Sequence, residues 1–115
     1  MEQVHSKFMV SVYDGVISQE NLNDFANIID KNDIAAKSIG IEYLEAQKKT
    51  VISVGFSEGS GYPITLKLVD EGVVKIDSEE LVKKLDHAAS MHDNIICHEF
   101  FIDEKQNLFV LLMCK

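Results

Sequence analysis

The stretch IGIEYLEAQKKTVISVGF, residues 39–56, reads as two strands joined by a short charged turn. A turn centred on Gln47-Lys48 sets Tyr43 opposite Ile52, Ile41 opposite Val54 and Ile39 opposite Phe56. Directly paired residues share a face, so these six make one apolar side. Gly40, Glu42, Leu44, Val51, Ser53 and Gly55 make the other side, which is mixed. Gln-Lys is not a favoured two-residue hairpin turn, so a longer loop within the same register is the alternative.

The pattern returns as ICHEFFIDEKQNLFVLLM, residues 96–113, an offset of 57 (96 − 39). The same register there pairs Phe100 with Phe109, His98 with Leu111 and Ile96 with Met113. The last strand is also apolar on its other side, through Leu108, Val110 and Leu112. A strand apolar on both sides is usually covered on both. It is then a central strand, a covering segment or a homodimer contact.

Outward from the hairpins, residues 7–13 alternate with Phe8, Val10 and Val12 on one side, which is strand periodicity. Ser18 is placed to cap a helix running to residue 31, with Leu22, Phe25, Ile28 and Ile29 on one face. Residues 32–37 fit a continued helix or a turn. Residues 57–63, SEGSGYP, form a loop. Ile64, Leu66 and Leu68 alternate as a fourth strand. Asp77 or Ser78 caps a second helix at residues 79–90, whose apolar face is Leu81, Val82, Leu85, Ala88 and Ala89. Residues 12–56 align with 69–113 without a gap, keeping Val12/Val69, Gly15/Gly72, Val16/Val73, Ile39/Ile96, Glu42/Glu99 and Lys48/Lys105. The expected fold is α+β: two helices on a mainly antiparallel sheet of about six strands, in one domain spanning residues 1–115. Its two strand–helix–strand–strand halves, 7–58 and 63–115, come from tandem duplication or from two uses of the same small set of patterns.

This doubled order resembles the GyrI-like effector-binding domains, in which two such units form a cleft for small, often cationic ligands. The resemblance is one of topology. It implies a ligand site around Glu42 and Glu99, with Leu44 and Phe101 beside them on the mixed face. A carboxylate on a half-apolar surface attracts a hydrophobic cation by charge and by contact.

With 19 acids against 11 bases, the chain has a net charge of −8. The local basic cluster is Lys48-Lys49 in a turn, too little to neutralise a phosphate backbone, so nucleic acid is not an expected partner. The densest apolar run, residues 108–114, is too short to cross a membrane, and the N-terminal ten residues carry charges where a leader would be apolar. A cytoplasmic protein is expected, with Cys97 and Cys114 as free thiols.

Few motifs carry chemistry. Residues 55–59 match G-x-S-x-G, but no helix pattern follows to support a strained nucleophile turn at Ser57. His87 and His92 are five apart, on different faces of a helix, and no metal site is expected from them. His98 falls on the apolar side of its hairpin and reads as core-facing. No catalytic residue, metal or cofactor is expected. Asp70 and Glu71, then Asp77, Glu79 and Glu80, are the strongest local charge feature. Acids at a helix start suit the helix dipole, and the same group suits a basic partner. The expected function is a small acidic, non-enzymatic protein-interaction module of the inhibitor, antitoxin or immunity type. The alternative is a small-molecule module for hydrophobic cations.

Overall fold

The computed structural model describes residues 7–32, 34–57, 61 and 63–115. Its elements are β1 (Lys7–Asp14), α1 (Gln19–Lys31), β2 (Ala35–Leu44), β3 (Lys49–Ser57), β4 (Thr65–Val73), α2 (Ser78–Ser90), β5 (Ile95–Ile102) and β6 (Asn107–Cys114). The class is α+β, as expected. In place of one sheet of six strands there are two antiparallel sheets of three, ordered β1-β3-β2 and β4-β6-β5. Each half of the chain is therefore one strand–helix–strand–strand unit whose last strand lies in the middle.

Local chemistry starts both helices as the sequence indicates. Ser18 accepts from the Asn21 amide at 3.1 Å, while the Asn21 side chain accepts from the Ser18 amide at 3.1 Å, closing a capping box. Asp77 accepts from the Glu80 amide at 2.8 Å, with Glu79 and Glu80 in the first turn. Residues 35–37 are strand rather than continued helix.

The first hairpin pairs Ile39 with Val54, Ile41 with Ile52 and Tyr43 with Thr50. This is two residues from the expected register. A shift of two preserves which side each residue faces, so the apolar and mixed faces stand. The loop has four residues, Glu45 to Lys48, and Lys48 closes it with a left-handed φ of 55°. The second hairpin pairs Phe101 with Phe109, Glu99 with Leu111 and His98 with Leu112. That is one residue from the expected register, and a slip of one exchanges the faces. Glu99 and Phe101 thus lie beside Phe109, Leu111 and Met113, while His98 and Phe100 lie beside Leu108, Val110 and Leu112. The cause is a loop built on Asp103, whose carboxylate accepts the Lys105 and Asn107 amides at 2.9 Å each.

The cores show how the halves stack. One cluster joins Leu22, Phe25, Ala26 and Ile29 of α1 and Ile39, Ile52 and Val54 of the first sheet to Leu66, Phe101, Leu111 and Met113 of the second. A second cluster sets Leu81, Leu85 and Ala88 of α2 on Leu108, Val110 and Leu112. The second sheet is covered on both sides, which explains why its central strand β6 is apolar on both. β2 runs beside β5 in the same direction: the Ile39 amide reaches the Cys97 thiol, and Lys48 pairs with Glu104 at the adjoining hairpin tips. No helix among the described residues is long and apolar enough to cross a membrane.

Candidate functional site

Matching the two ladders rung by rung, through the loop-closing residues Lys48 and Gln106, gives an offset of 58 along the first and central strands (106 − 48). A bulge in β2 at Lys37 recurs in β5 at Ile96, so the third strands match too, one residue further on. In this frame Phe8 corresponds to Leu66, Val10 to Leu68, Ser53 to Leu111 and Gly55 to Met113. Each sheet has a side that carries its own helix and an open side without one. The open side of the second sheet, with Leu66, Leu111 and Met113, is buried against α1 and the first sheet. Among the described residues, nothing lies over the open side of the first sheet.

That face is built in rows across β1, β3 and β2: Phe8, Gly55 and Ser38; Val10, Ser53 and Gly40; Val12, Val51 and Glu42. Phe8 is 72 % exposed, Val10 56 % and Val12 55 %, whereas Leu66 is 1 % exposed. The aromatic ring of Phe8 lies over Gly55, 3.5 Å from where a Cβ would stand, and that Cβ would also lie 2.5 Å from the Ser38 hydroxyl. The centre of the face is thus kept low by Gly and Ser, with an apolar ridge along the β1 edge. Large apolar side chains in a contiguous exposed row mark interaction surfaces in monomeric proteins. The alternation of Phe8, Val10 and Val12 is visible in the sequence; that it faces outward is not.

The residues expected to bind a ligand divide between the open sides of the two sheets. Glu42 and Leu44 lie on the open side of the first sheet. Glu99 and Phe101 lie on the open side of the second, where Phe101 is buried and stacks on Phe109 with ring centroids 5.1 Å apart. Glu42 corresponds to Phe101, and Glu99 to Gly40, so the two carboxylates sit one row apart rather than in equivalent places. None of the four lines either hollow beside α2.

The acidic group has local duties. Asp77 caps α2, and the Asp70 carboxylate accepts the Gly72 amide at 2.9 Å across the β4 bulge. The Glu71 side chain is only 5 % exposed and meets His87 Nδ1 at 2.8 Å, tying β4 to α2. Glu79 is exposed beside Lys83 at 3.7 Å. Glu71 and Glu80 share one hollow with Lys83, Lys84 and His87, so the surface there is mixed in charge.

His98 does not face the core. It is exposed on the helix-bearing side of the second sheet, lining a hollow of about 130 Å³ between α2 and β5 with Leu85, Asp86, Ala89, Ile95 and Val110. Sequence reading missed this hollow because it follows from the one-residue slip in the second hairpin. Cys97 and Cys114 are free thiols, and burial pushes the pKa of each upward. Ser57 is the last residue of β3, opposite Ala35; Glu58 and Gly59 of the G-x-S-x-G match, and His5, lie outside the described residues. No group of three or more metal-ligating side chains occurs among the described residues.

No protein-family model, curated protein or solved structure matches the chain.

Proposed function

We propose that the protein is a non-enzymatic protein-interaction module that docks through the open side of its first sheet. One observation carries this reading. Phe8 and Val10 stand in water at positions whose counterparts, Leu66 and Leu68, are packed against the other half of the chain. An apolar ridge over a flat Gly and Ser floor supplies anchors and a shape for a protein surface. Glu42, exposed at one end of the face, favours a basic group at the partner's rim, and the net charge of −8 favours the approach of basic proteins. The inhibitor, antitoxin or immunity class fits this mode of action by occlusion. The alternative, a module for hydrophobic cations, would draw on Glu42 and Glu99, which lie on the open sides of different sheets.

The test is affinity capture from the native cell, followed by binding of the recovered partner to Phe8→Asp and Val10→Asp chains. Each substitution is expected to weaken binding at least about tenfold, the effect of removing an anchor. Association with the wild-type chain is expected to slow with added salt. A partner held as tightly by both variants as by the wild type overturns the reading.

A further inference from the structure

The two halves of the chain meet head to tail: the helix-bearing side of the first unit covers the open side of the second. Each surface therefore occurs twice, once used and once unused. The unused tail is the open side of the first sheet. The unused head is the helix-bearing side of the second unit, where the hollow of about 130 Å³ lies between α2 and β5.

The hollow corresponds to a place that is filled in the first unit. Matching α1 to α2 by their caps, Ser18 and Asp77, sets Ala26 against Leu85 and Phe25 against Lys84. Ile95, His98, Val110 and Leu112 around the hollow correspond to Ala36, Ile39, Ile52 and Val54. Those four, with Ala26, are all buried, in one cluster with Leu66, Leu111 and Met113 of the covering sheet. In the second unit nothing comparable arrives from the described residues, and His98 and Phe100 are exposed. A hollow of this size resembles the roughly 150 Å³ cavity that admits a benzene ring. On the tail, the residue in the place of Leu66 is Phe8.

Charge follows the same logic. Within the chain, the contact sets Phe101 in one cluster with Phe25 and Ile39. At the free tail Glu42 stands in the place of Phe101, and at the free head Lys84 and His98 stand in the places of Phe25 and Ile39. An acid has replaced an apolar group on one surface, and Lys84 and His98 have done so on the other, where the charge is mixed: Asp86 lines the hollow beside His98, and Lys84 lies in the neighbouring hollow with Glu71, Glu80, Lys83 and His87.

We infer that the tail of one chain docks on the α2–β5 groove of a second copy, repeating between chains the contact already made within one. This rests on the open side of the first sheet being a docking face, and gives that face an occupant besides a basic partner. A face three strands wide and eight residues long spans about 400 Å² in projection. That lies below the roughly 800 Å² per partner of a tight complex, so association is weak and concentration-dependent. Being heterologous, it closes into a ring or runs on as a chain.

Sedimentation velocity over an about hundredfold concentration range tests this, with unchanged urea midpoints as the check on folding. Wild-type mass is expected to rise with concentration. Phe8→Asp or Val10→Asp in the tail, and Lys84→Glu with His98→Glu in the head, are each expected to weaken association at least about tenfold. Mixing a tail variant with the head variant is expected to restore one 1:1 complex, because one intact head then meets one intact tail. A wild type that stays monomeric overturns the inference. So does association lost in the tail variants but untouched in the head variant, which marks face-to-face pairing, and so does failure of the mixture to pair. If the wild type is monomeric yet its captured partner still requires Phe8, self-docking alone fails. If neither self-association nor partner binding responds to Phe8→Asp, the docking face fails as well.

Discussion

The open sides of the two sheets are the same construction put to different use. Both are flanked by a bulge in the strand after the helix, and both hairpins close on a left-handed residue, Lys48 or Gln106. In the second sheet the central strand fills that side with Phe109, Leu111 and Met113, and it lies in the core. In the first sheet the same rungs hold Val51, Ser53 and Gly55, and the edge strand alone is strongly apolar. A buried face needs volume to exclude water and keep contacts, whereas a face exposed part of the time must stay flat and partly polar. The difference in side-chain size thus records which copy is permanently covered.

The largest expected effect is a direct break of that comparison. Leu66→Ala is expected to cost about 3 kcal/mol of stability, as a buried leucine leaves a cavity, while Phe8→Ala costs less than about 0.5 kcal/mol. Urea unfolding reads both; equal losses at the two positions would show that the faces are not differently covered.

Thr50 sharpens the comparison on the helix-bearing side. It is fully buried where the second sheet has Leu108. Its hydroxyl donates to the Gly15 carbonyl at 2.7 Å and accepts the Ile17 amide at 3.2 Å, holding the β1–α1 connection. Thr50→Val keeps the shape but strands both groups, for an expected loss of about 2 kcal/mol in the same assay. A neutral result would mean that the connection is held by packing alone.

Gln19 tests the head-to-tail joint. Its amide donates to the Leu66 carbonyl at 2.7 Å and accepts the Leu68 amide at 2.8 Å, so α1 clamps the exposed backbone edge of β4. Gln19→Ala is expected to cost about 1 kcal/mol and to speed amide exchange at Leu68. Unchanged exchange there would place the strength of the joint elsewhere.

The smallest effect separates the two hairpin loops. Burial pushes the Asp103 carboxyl upward, but the amides of Asn107 and Lys105 and the Asn107 side chain outweigh it, and its pKa lies below the usual carboxylate range. A depressed value in the folded state stabilises above the unfolded pKa of about 4, and that contribution fades as pH falls through the folded value. The wild type should therefore exceed Asp103→Asn at neutral pH and approach it as the pH falls through the carboxylate's depressed folded value. A constant difference across that range would remove the carboxylate's charge from the account.

Much of this was legible in the residues. Ser18 and Asp77 announced both helices because a side-chain oxygen before an amphipathic run satisfies amides that the helix itself leaves free. Alternation located the strands. The faces of the first hairpin survived a two-residue error in register because side chains repeat with period two. In the second hairpin a one-residue error exchanged Glu99 and Phe101 with His98 and Phe100. There the two sides of β6 are equally apolar, so hydrophobic pattern could not choose between registers. The choice was made by the Asp103 loop and the bulge at Ile96, whose geometry no propensity reveals.

By itself the sequence determined the elements, their order, and one clean and one mixed face on the first hairpin, all of which rest on periodicity and capping between near neighbours. Tertiary structure alone decided that there are two sheets, that the halves stack head to tail, and that Phe8, Val10 and Val12 are left outside. Alternation states that a strand has an apolar side; it cannot state whether another surface of the same chain will arrive to cover it. That depends on contacts between residues far apart in the sequence, and among the described residues one copy of the face received its cover and the other did not.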